Sequence, residues 1–297
     1  MKTPLLVIVC ILTFTSCIKD SLSDCTYRYQ IKLFVEEKRY SGGYPDGVEP
    51  INENLEFKAY VGDLYYTLQC VDDGALVASQ VFETIDTDEK EFTLTLDNIP
   101  NGRYELTVWG NVDNVDYLAR LPYTLHTNEV EASDIYMASK IVDLTEGEIQ
   151  DISIGMRRLK GKLYIELADL PPHFDKVTKT VSNIHSVVSD DVIYSGETKV
   201  SKSFPLDGQY STVAIETLLA PTVSGKRSLL SLSFHHKETG QELQMDSPLE
   251  VVVKKNEITY LKIGYKSPEG KLEVWLFVDG KWQLIGYSSR GSTKCRI

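Results

Sequence analysis

The sequence is poor in the residue patterns that carry chemistry. The histidines are His126, His173, His185, His235 and His236, and no H-x-H or H-E-x-x-H spacing joins any of them. His235 and His236 are adjacent in an apparent strand, so their side chains leave opposite faces and do not readily share one ion. Surface histidine is the reading that geometry favours. No two of the five cysteines have C-x-x-C spacing, which argues against zinc and thiol-redox chemistry. There is no G-x-S-x-G elbow, no P-loop and no dinucleotide-binding glycine fingerprint. Asp86-Thr87-Asp88-Glu89 opens like a calcium loop but lacks the glycine and the closing glutamate, and reads as a solvated acidic turn. The carboxylate pairs Asp72-Asp73 and Asp190-Asp191 fall in expected loops. These residues give no positive evidence for catalysis, and no cofactor and no metal are expected.

Positive charge is also scarce. The formal net charge is −12 over 297 residues, so the basic footprint that nucleic acid needs is missing. Anionic headgroups would repel such a chain, and any membrane link must come from something other than a basic patch. Nor is there a long apolar run. Residues 5–14 are the strongest candidate, and they fall short of the roughly 20 apolar residues of a spanning helix.

That short run has informative neighbours. Lys2 precedes it, Thr15, Ser16 and Cys17 follow it, and beyond Cys17 the chain turns polar at once. Charge, oil, small residues and cysteine in that order make a secretory signal peptide. The cysteine after Thr-Ser is the expected lipidation site of a bacterial lipoprotein, with cleavage leaving Cys17 at the new N-terminus. The position three before Cys17 is Phe14, where a lipobox has leucine. An ordinary signal peptide or a buried N-terminal helix are the alternatives. Acyl chains hold a protein on its bilayer because each buried CH₂ contributes about 0.8 kcal/mol. Cys10 would leave with the signal, so Cys25, Cys70 and Cys295 remain, an odd number that leaves at least one unpaired.

The rest reads as strand after strand. Tyr29, Ile31, Leu33 and Val35 alternate with polar or facing residues; so do Leu55, Phe57, Ala59 and Val61, and Phe92, Leu94 and Leu96. Turn clusters separate them, among them Asp72-Asp73-Gly74 and Pro100-Asn101-Gly102. After that second turn, Tyr104, Leu106 and Val108 should face one side, Trp109 the other, and Gly110 should end the strand. The same grammar predicts strands over 149–156, 159–167, 213–219, 229–235, 249–253, 258–263, 272–278 and 282–287. Only 128–137 and 177–182 hint at short helices. The chain length allows two domains, and short strands at regular spacing predict an all-β sandwich in each. The expected division is signal peptide 1–16, tether 17–26, N-terminal β-sandwich 27–157 and C-terminal β-sandwich 158–297. No internal repeat is evident in the sequence.

Asp279-Gly280 sits between the last two strands and favours a type I′ two-residue turn. That register pairs Phe277 with Trp282 and Trp275 with Leu284 on one face, and leaves Val274, Leu276, Val278 and Ile285 on the other. A hairpin apolar on both faces wants cover on both. Trp275, Phe277, Trp282 and Leu284 are therefore the candidate partner-binding residues. Against this, the hairpin could simply complete the second sandwich. Of the aromatics, which include 17 Tyr and 3 Trp, Trp109 is expected in a core, since aromatics are good strand formers and core fillers.

Several of these features coincide with a known family. Cys17-Ile18-Lys19-Asp20-Ser21-Leu22-Ser23-Asp24-Cys25, the segment Ile99-Pro100-Asn101-Gly102-Arg103-Tyr104 leading to Val108-Trp109-Gly110, and Met156-Arg157-Arg158-Leu159 together resemble the FimB-type fimbrillin-associated anchor family of Bacteroidales-like lipoproteins. The resemblance runs over nearly the whole chain. It implies two tandem transthyretin-like β-sandwich domains, lipid on Cys17, attachment to the outer membrane and exposure at the cell surface. It further implies a fimbrial anchor or minor subunit, not an enzyme, whose partners are fimbrillin-like shaft subunits, engaged by β-strand addition. The alternative is a surface glycan-binding lipoprotein of a polysaccharide-uptake system, which would need Trp275 and Trp282 flat and exposed.

Overall fold

The computed structural model describes residues 26–46, 48, 54–113, 122–145, 152–206, 212–245, 247–266 and 271–288. Cys17, Cys25, Cys295 and positions 149–151 of the strand expected over 149–156 lie outside these residues. The chain is all-β, with no α-helix among the described residues and sheets that stack as sandwiches.

The first half holds β1 (Thr26–Val35), β2 (Leu64–Cys70), β3 (Leu76–Phe82), β4 (Glu91–Pro100), β5 (Gly102–Gly110), β6 (Tyr123–Thr124), β7 (Tyr136–Leu144) and β8 (Ile152–Arg158). Seven of them form one sheet in the order β3-β2-β5-β7-β8-β1-β4. β7 and β8 pair only at Tyr136↔Arg158 and Met137↔Arg157, so the sheet is nearly split there. The two parts fold over a core that includes Ile31, Leu33, Leu94 and Leu96 from one part and Leu64, Leu68, Leu106 and Val108 from the other. The turn at Asn101 is pinned by Tyr29 Oη, which donates to Asn101 Oδ1 at 2.6 Å, and by Tyr104 Oη, which donates to the Pro100 carbonyl at 2.8 Å.

The second half holds β9 (Gly161–Ala168), β10 (Phe174–Ile184), β11 (Val187–Val188), β12 (Tyr194–Ser195), β13 (Thr198–Pro205), β14 (Thr212–Leu219), β15 (Ser228–His236), β16 (Glu242–Gln244), β17 (Leu249–Val251), β18 (Ile258–Lys266), β19 (Lys271–Val278) and β20 (Lys281–Ser288). One sheet runs β13-β10-β15-β16, with β17 also on β15; the other runs β14-β9-β18-β19-β20. β6 joins β11 and β12 in a small third sheet.

The halves share a pairing scheme that the sequence does not advertise. β1 pairs antiparallel with β4 and parallel with β8; β9 pairs antiparallel with β14 and parallel with β18. Pairing of this kind requires only alternating hydrophobicity, so it survives without residue-by-residue similarity. The hairpin β19–β20 is what the second half adds to the shared scheme.

β5 serves both cores. Tyr104, Leu106 and Val108 enter the first, while Trp109 enters the second, 2% exposed, with its ring 5.5 Å from Tyr123. Tyr123, Leu125, Ile135 and Met137 join it there. Residues that precede position 157 thus help to build the second core.

Three local expectations are corrected. Residues 55–61 do not form a strand: Phe57–Ala59 is a 3-10 turn, and Phe57, Tyr60 and Val61 are buried at a spacing of three and four, a helical period. Residues 177–182 are not helical but central in β10, where the β-branched Val177, Thr178, Thr180 and Val181 suit a pleated surface. Residues 128–137 contain only the end of a 3-10 turn at Thr127–Glu129 before β7 begins.

Candidate functional site

The C-terminal hairpin forms in the expected register. Asp279 and Gly280 both have positive φ, 50° and 74°, as a type I′ turn requires. Phe277 pairs with Trp282 and Trp275 with Leu284. A register shift between Val274 and Trp275 passes over Ile285, which is therefore the bulged residue and not a member of the Val274 face. Ile285 is 41% exposed, Trp282 36% and Leu284 39%.

The two strands differ in what they bury. Leu272 and Val274 of β19 are sealed in the second core. On the other face an aromatic row crosses the sheet. Tyr164 of β9 lies 5.4 Å from Tyr260 of β18, Tyr260 lies 6.2 Å from Phe277, and Phe277 lies 5.3 Å from Trp282. Tyr44, from the segment after β1, caps Tyr260 at 6.0 Å. That segment is bound to the second half by a bridge between Ser41 and Glu257 and by the Ser41 N–H, which donates to the Asn256 carbonyl at 2.7 Å. The row is covered at its Tyr164–Tyr260 end and open at its Trp282 end. Burial, with Tyr44 and Tyr164 nearby, raises the Tyr260 hydroxyl well above its ordinary range. β20 is the outermost strand of its sheet, so one row of its backbone groups has no strand partner among the described residues.

A second unpaired edge lies in the first half. Beyond Met137 and Arg157, β7 and β8 diverge around a cleft of about 400 Å³ lined by residues of both strands and by Asp190, Asp191 and Val192. The Lys140 ammonium spans it and donates to the Ser153 carbonyl at 3.3 Å.

Three clusters were not foreseen. Arg158, 1% exposed, donates from Nε to Asp134 Oδ2 at 2.8 Å, from Nη1 to Asn256 Oδ1 at 2.6 Å and from Nη2 to Tyr136 Oη, and its guanidinium stacks 4.0 Å from the Tyr40 ring. The Arg157-Arg158 pair marked this place in the sequence, but nothing in it showed which arginine turns inward. Period two decides it: Arg158 follows Ile154 and Met156 into the interior, and Arg157 points out to Glu36 at 2.7 Å. Lys160 and Lys179 are fully buried, their ammonium groups have no hydrogen-bond partner among the described residues, and burial lowers each from 10.5 to about 8. His126 is also buried. It accepts the Ala220 N–H at Nε2 (2.9 Å), and its Nδ1 sits 3.2 Å from the Val130 carbonyl. Burial and then the charge of Lys160 push it down to about 3.

His235 pairs with Asp175 at 2.6 Å, and the rings of His236 and His173 stack at 4.4 Å. Among the described residues no group of three or more His, Cys, Asp or Glu side chains could hold a metal, and no helix is long and apolar enough to cross a membrane. The acidic turn at Asp86 and Asp88 is paired with Lys58.

No protein-family model matches the sequence, and no curated protein matches it. Solved structures do match in fold. The fimbrial anchor protein Mfa2 of Porphyromonas gingivalis matches over 87% of this chain and 99% of its own, at 16% identity and a TM-score of 0.50. A Bacteroides thetaiotaomicron protein provisionally described as polysaccharide-binding matches over 87% and 98%, at 10% identity and a TM-score of 0.52. A Bacteroides eggerthii protein provisionally described as a cell adhesion protein matches over 89% and 96%, at 10% identity and 0.50. At such identities the likeness establishes a common fold.

Proposed function

We propose that this protein is a surface lipoprotein of the outer membrane, held by lipid on Cys17, that anchors a fimbrium or serves as one of its minor subunits. It binds fimbrillin-like shaft subunits by β-strand addition and catalyses nothing. The observation that carries the reading is the fold shared with a fimbrial anchor across 99% of that protein's chain. The order of charge, apolar run, small residues and Cys17 supports the membrane attachment. The exposed edge of β20, with Trp282 and Leu284 on it, supports strand addition as the mode of contact: an added strand gains main-chain hydrogen bonds along its length and side-chain contacts at alternate positions.

The glycan-binding alternative draws on the likeness to a protein provisionally described as polysaccharide-binding. Sugar stacking needs a flat, open aromatic face. Trp282 instead meets Phe277 edge to face, at 63°, and Trp275 is half-buried. That geometry favours the fimbrial reading.

Truncation of the whole hairpin is a poor test, because it would remove the buried Leu272 and Val274 along with the surface. The double variant Trp282→Lys/Leu284→Lys changes only exposed positions. It should remain on the membrane and lose capture of purified shaft subunits. Full capture by the variant would move the contact to another edge.

A further inference from the structure

Natural sheets protect their edges with charge, proline, bulges or short length, because an unprotected edge templates pairing with another chain. This molecule protects nearly all of its edges in that way. β4 carries Glu91, Asp97 and Pro100; β13 carries Lys199, Lys202 and Pro205; β14 carries Glu216; β16 carries Glu242; β17 carries Glu250; β20, the contact edge proposed above, carries a single charge, Lys281, beside its turn. β6 and β12 are two residues long. β3 is different. Its seven residues, Leu-Val-Ala-Ser-Gln-Val-Phe, include neither charge nor proline. It is the outermost strand of the first sheet, paired among the described residues on one side only, with β2. Leu76 is 59% exposed, Val77 38% and Val81 42%.

We propose that β3 is a docking edge for an extended segment of another protein, uncharged and partly apolar along its length and basic at both ends. The basic ends follow from what flanks β3. Asp72 and Asp73 precede it and Glu83 and Asp86 follow it, all exposed, and β2 beside it has no charged residue. Lys58 pairs with Asp86, which leaves the acidic charge at Asp72, Asp73 and Glu83 to face the incoming chain. A second copy of this protein is a poor occupant. Antiparallel self-pairing of β3 would set Asp72 and Asp73 of one copy against Glu83 of the other, between molecules that each carry −12. A segment with lysine or arginine at its ends turns the same two acidic ends into attraction. The added strand would take the unpaired backbone row of β3 and cover the exposed flanks of Val77 and Val81.

This edge is separate from β20, so failure of the fimbrial reading leaves it standing, and its own failure leaves that reading untouched. The test uses the whole folded protein and two synthetic peptides of alternating Val and Thr, one with lysine at each end and one with glutamate. Binding is followed by calorimetry at low salt. The lysine-ended peptide should bind more tightly, by about tenfold for two favourable exposed charge pairs, and the preference should shrink as salt is raised. Asp72→Lys/Glu83→Lys should reverse the preference. Val81→Lys, at an exposed position, should abolish binding while thermal unfolding stays unchanged. Equal binding of the two peptides, or binding that survives Val81→Lys, would overturn the proposal. So would concentration-dependent dimers of the wild type that Val81→Lys dissolves, since the occupant would then be a second copy.

Discussion

Arg158 ties together residues far apart in the chain: Tyr40, Asp134, Tyr136 and Asn256 all meet its guanidinium. A largely buried charge that loses its partner is expensive, so Arg158→Ala, which removes the buried guanidinium and leaves the half-buried Asp134 without its counter-charge, should lower stability by about 3–5 kcal/mol in denaturant titration. Exposed Arg157→Ala should change stability by less than about 1 kcal/mol, because its pair with Glu36 is solvated. Gly161 is equally constrained. A Cβ there would sit 2.1 Å from the Lys254 carbonyl oxygen, so Gly161→Ala must push backbone aside and should destabilise at least as strongly as a core overpacking change, about 1–3 kcal/mol. The buried bases make a pH prediction. Between pH 8 and 10.5 the unfolded chain holds protons on Lys160 and Lys179 that the folded chain has released, so stability should rise with pH in that window. Above pH 10 the buried Tyr40 and Tyr136 and the partly buried Tyr194, raised first by desolvation, reverse the trend: the unfolded chain loses protons that the folded one keeps. Below pH 6.5 the unfolded chain protonates His126 while the folded chain resists until about 3, so stability should fall with acid. Thermal unfolding across pH should therefore show a maximum near the alkaline end, and Lys160→Met should flatten the rise above pH 8. A rise of unchanged size in that variant would remove Lys160 from the account.

At the scale of the element, many strands were legible where period two met β-branched or aromatic residues, but 177–182 of β10 carries β-branched residues too and still read as a short helix. The last hairpin was legible down to its register, because Asp-Gly fixes the turn and the turn fixes the pairing. Its bulge at Ile285 was not, since one extra residue leaves no mark in the alternation. The segment 55–61 misled because Leu55, Phe57, Ala59 and Val61 alternate while the buried set is Phe57, Tyr60 and Val61; with so few residues, the two periods share members. The candidate site was legible in part. Phe277, Trp282, Trp275 and Leu284 do lie as paired, but Tyr44, Tyr164 and Tyr260, which complete the aromatic row, come from distant segments that only the fold brings together. β3 was invisible for a related reason: an exposed edge and a buried strand have the same composition, and only the strand order tells them apart. Val274→Ala, in the buried face of β19, should cost about 1–3 kcal/mol in unfolding measurements. Gln283→Ala, exposed in β20, should stay within about 0.5 kcal/mol.

At the scale of the whole molecule, two cores are joined by shared elements as well as by chain. β5 and β7 each contribute to both, and Arg158, Ser41 and Trp109 fasten the same junction. Such a body would suit the proposed role, in which force passes between a membrane tether and a partner. The account predicts lipid on Cys17, so mass spectrometry of the membrane fraction should find an acylated Cys17 at the N-terminus, and Cys17→Ala should be released from the membrane; equal retention of that variant would contradict it. The most direct measurement is capture of the host's purified fimbrial shaft subunits by the membrane-bound protein. The account predicts capture by the wild type and its loss in Trp282→Lys/Leu284→Lys, with membrane attachment intact. No capture by the wild type would contradict the fimbrial role, and undiminished capture by the variant would contradict the assignment of β20 as the contact.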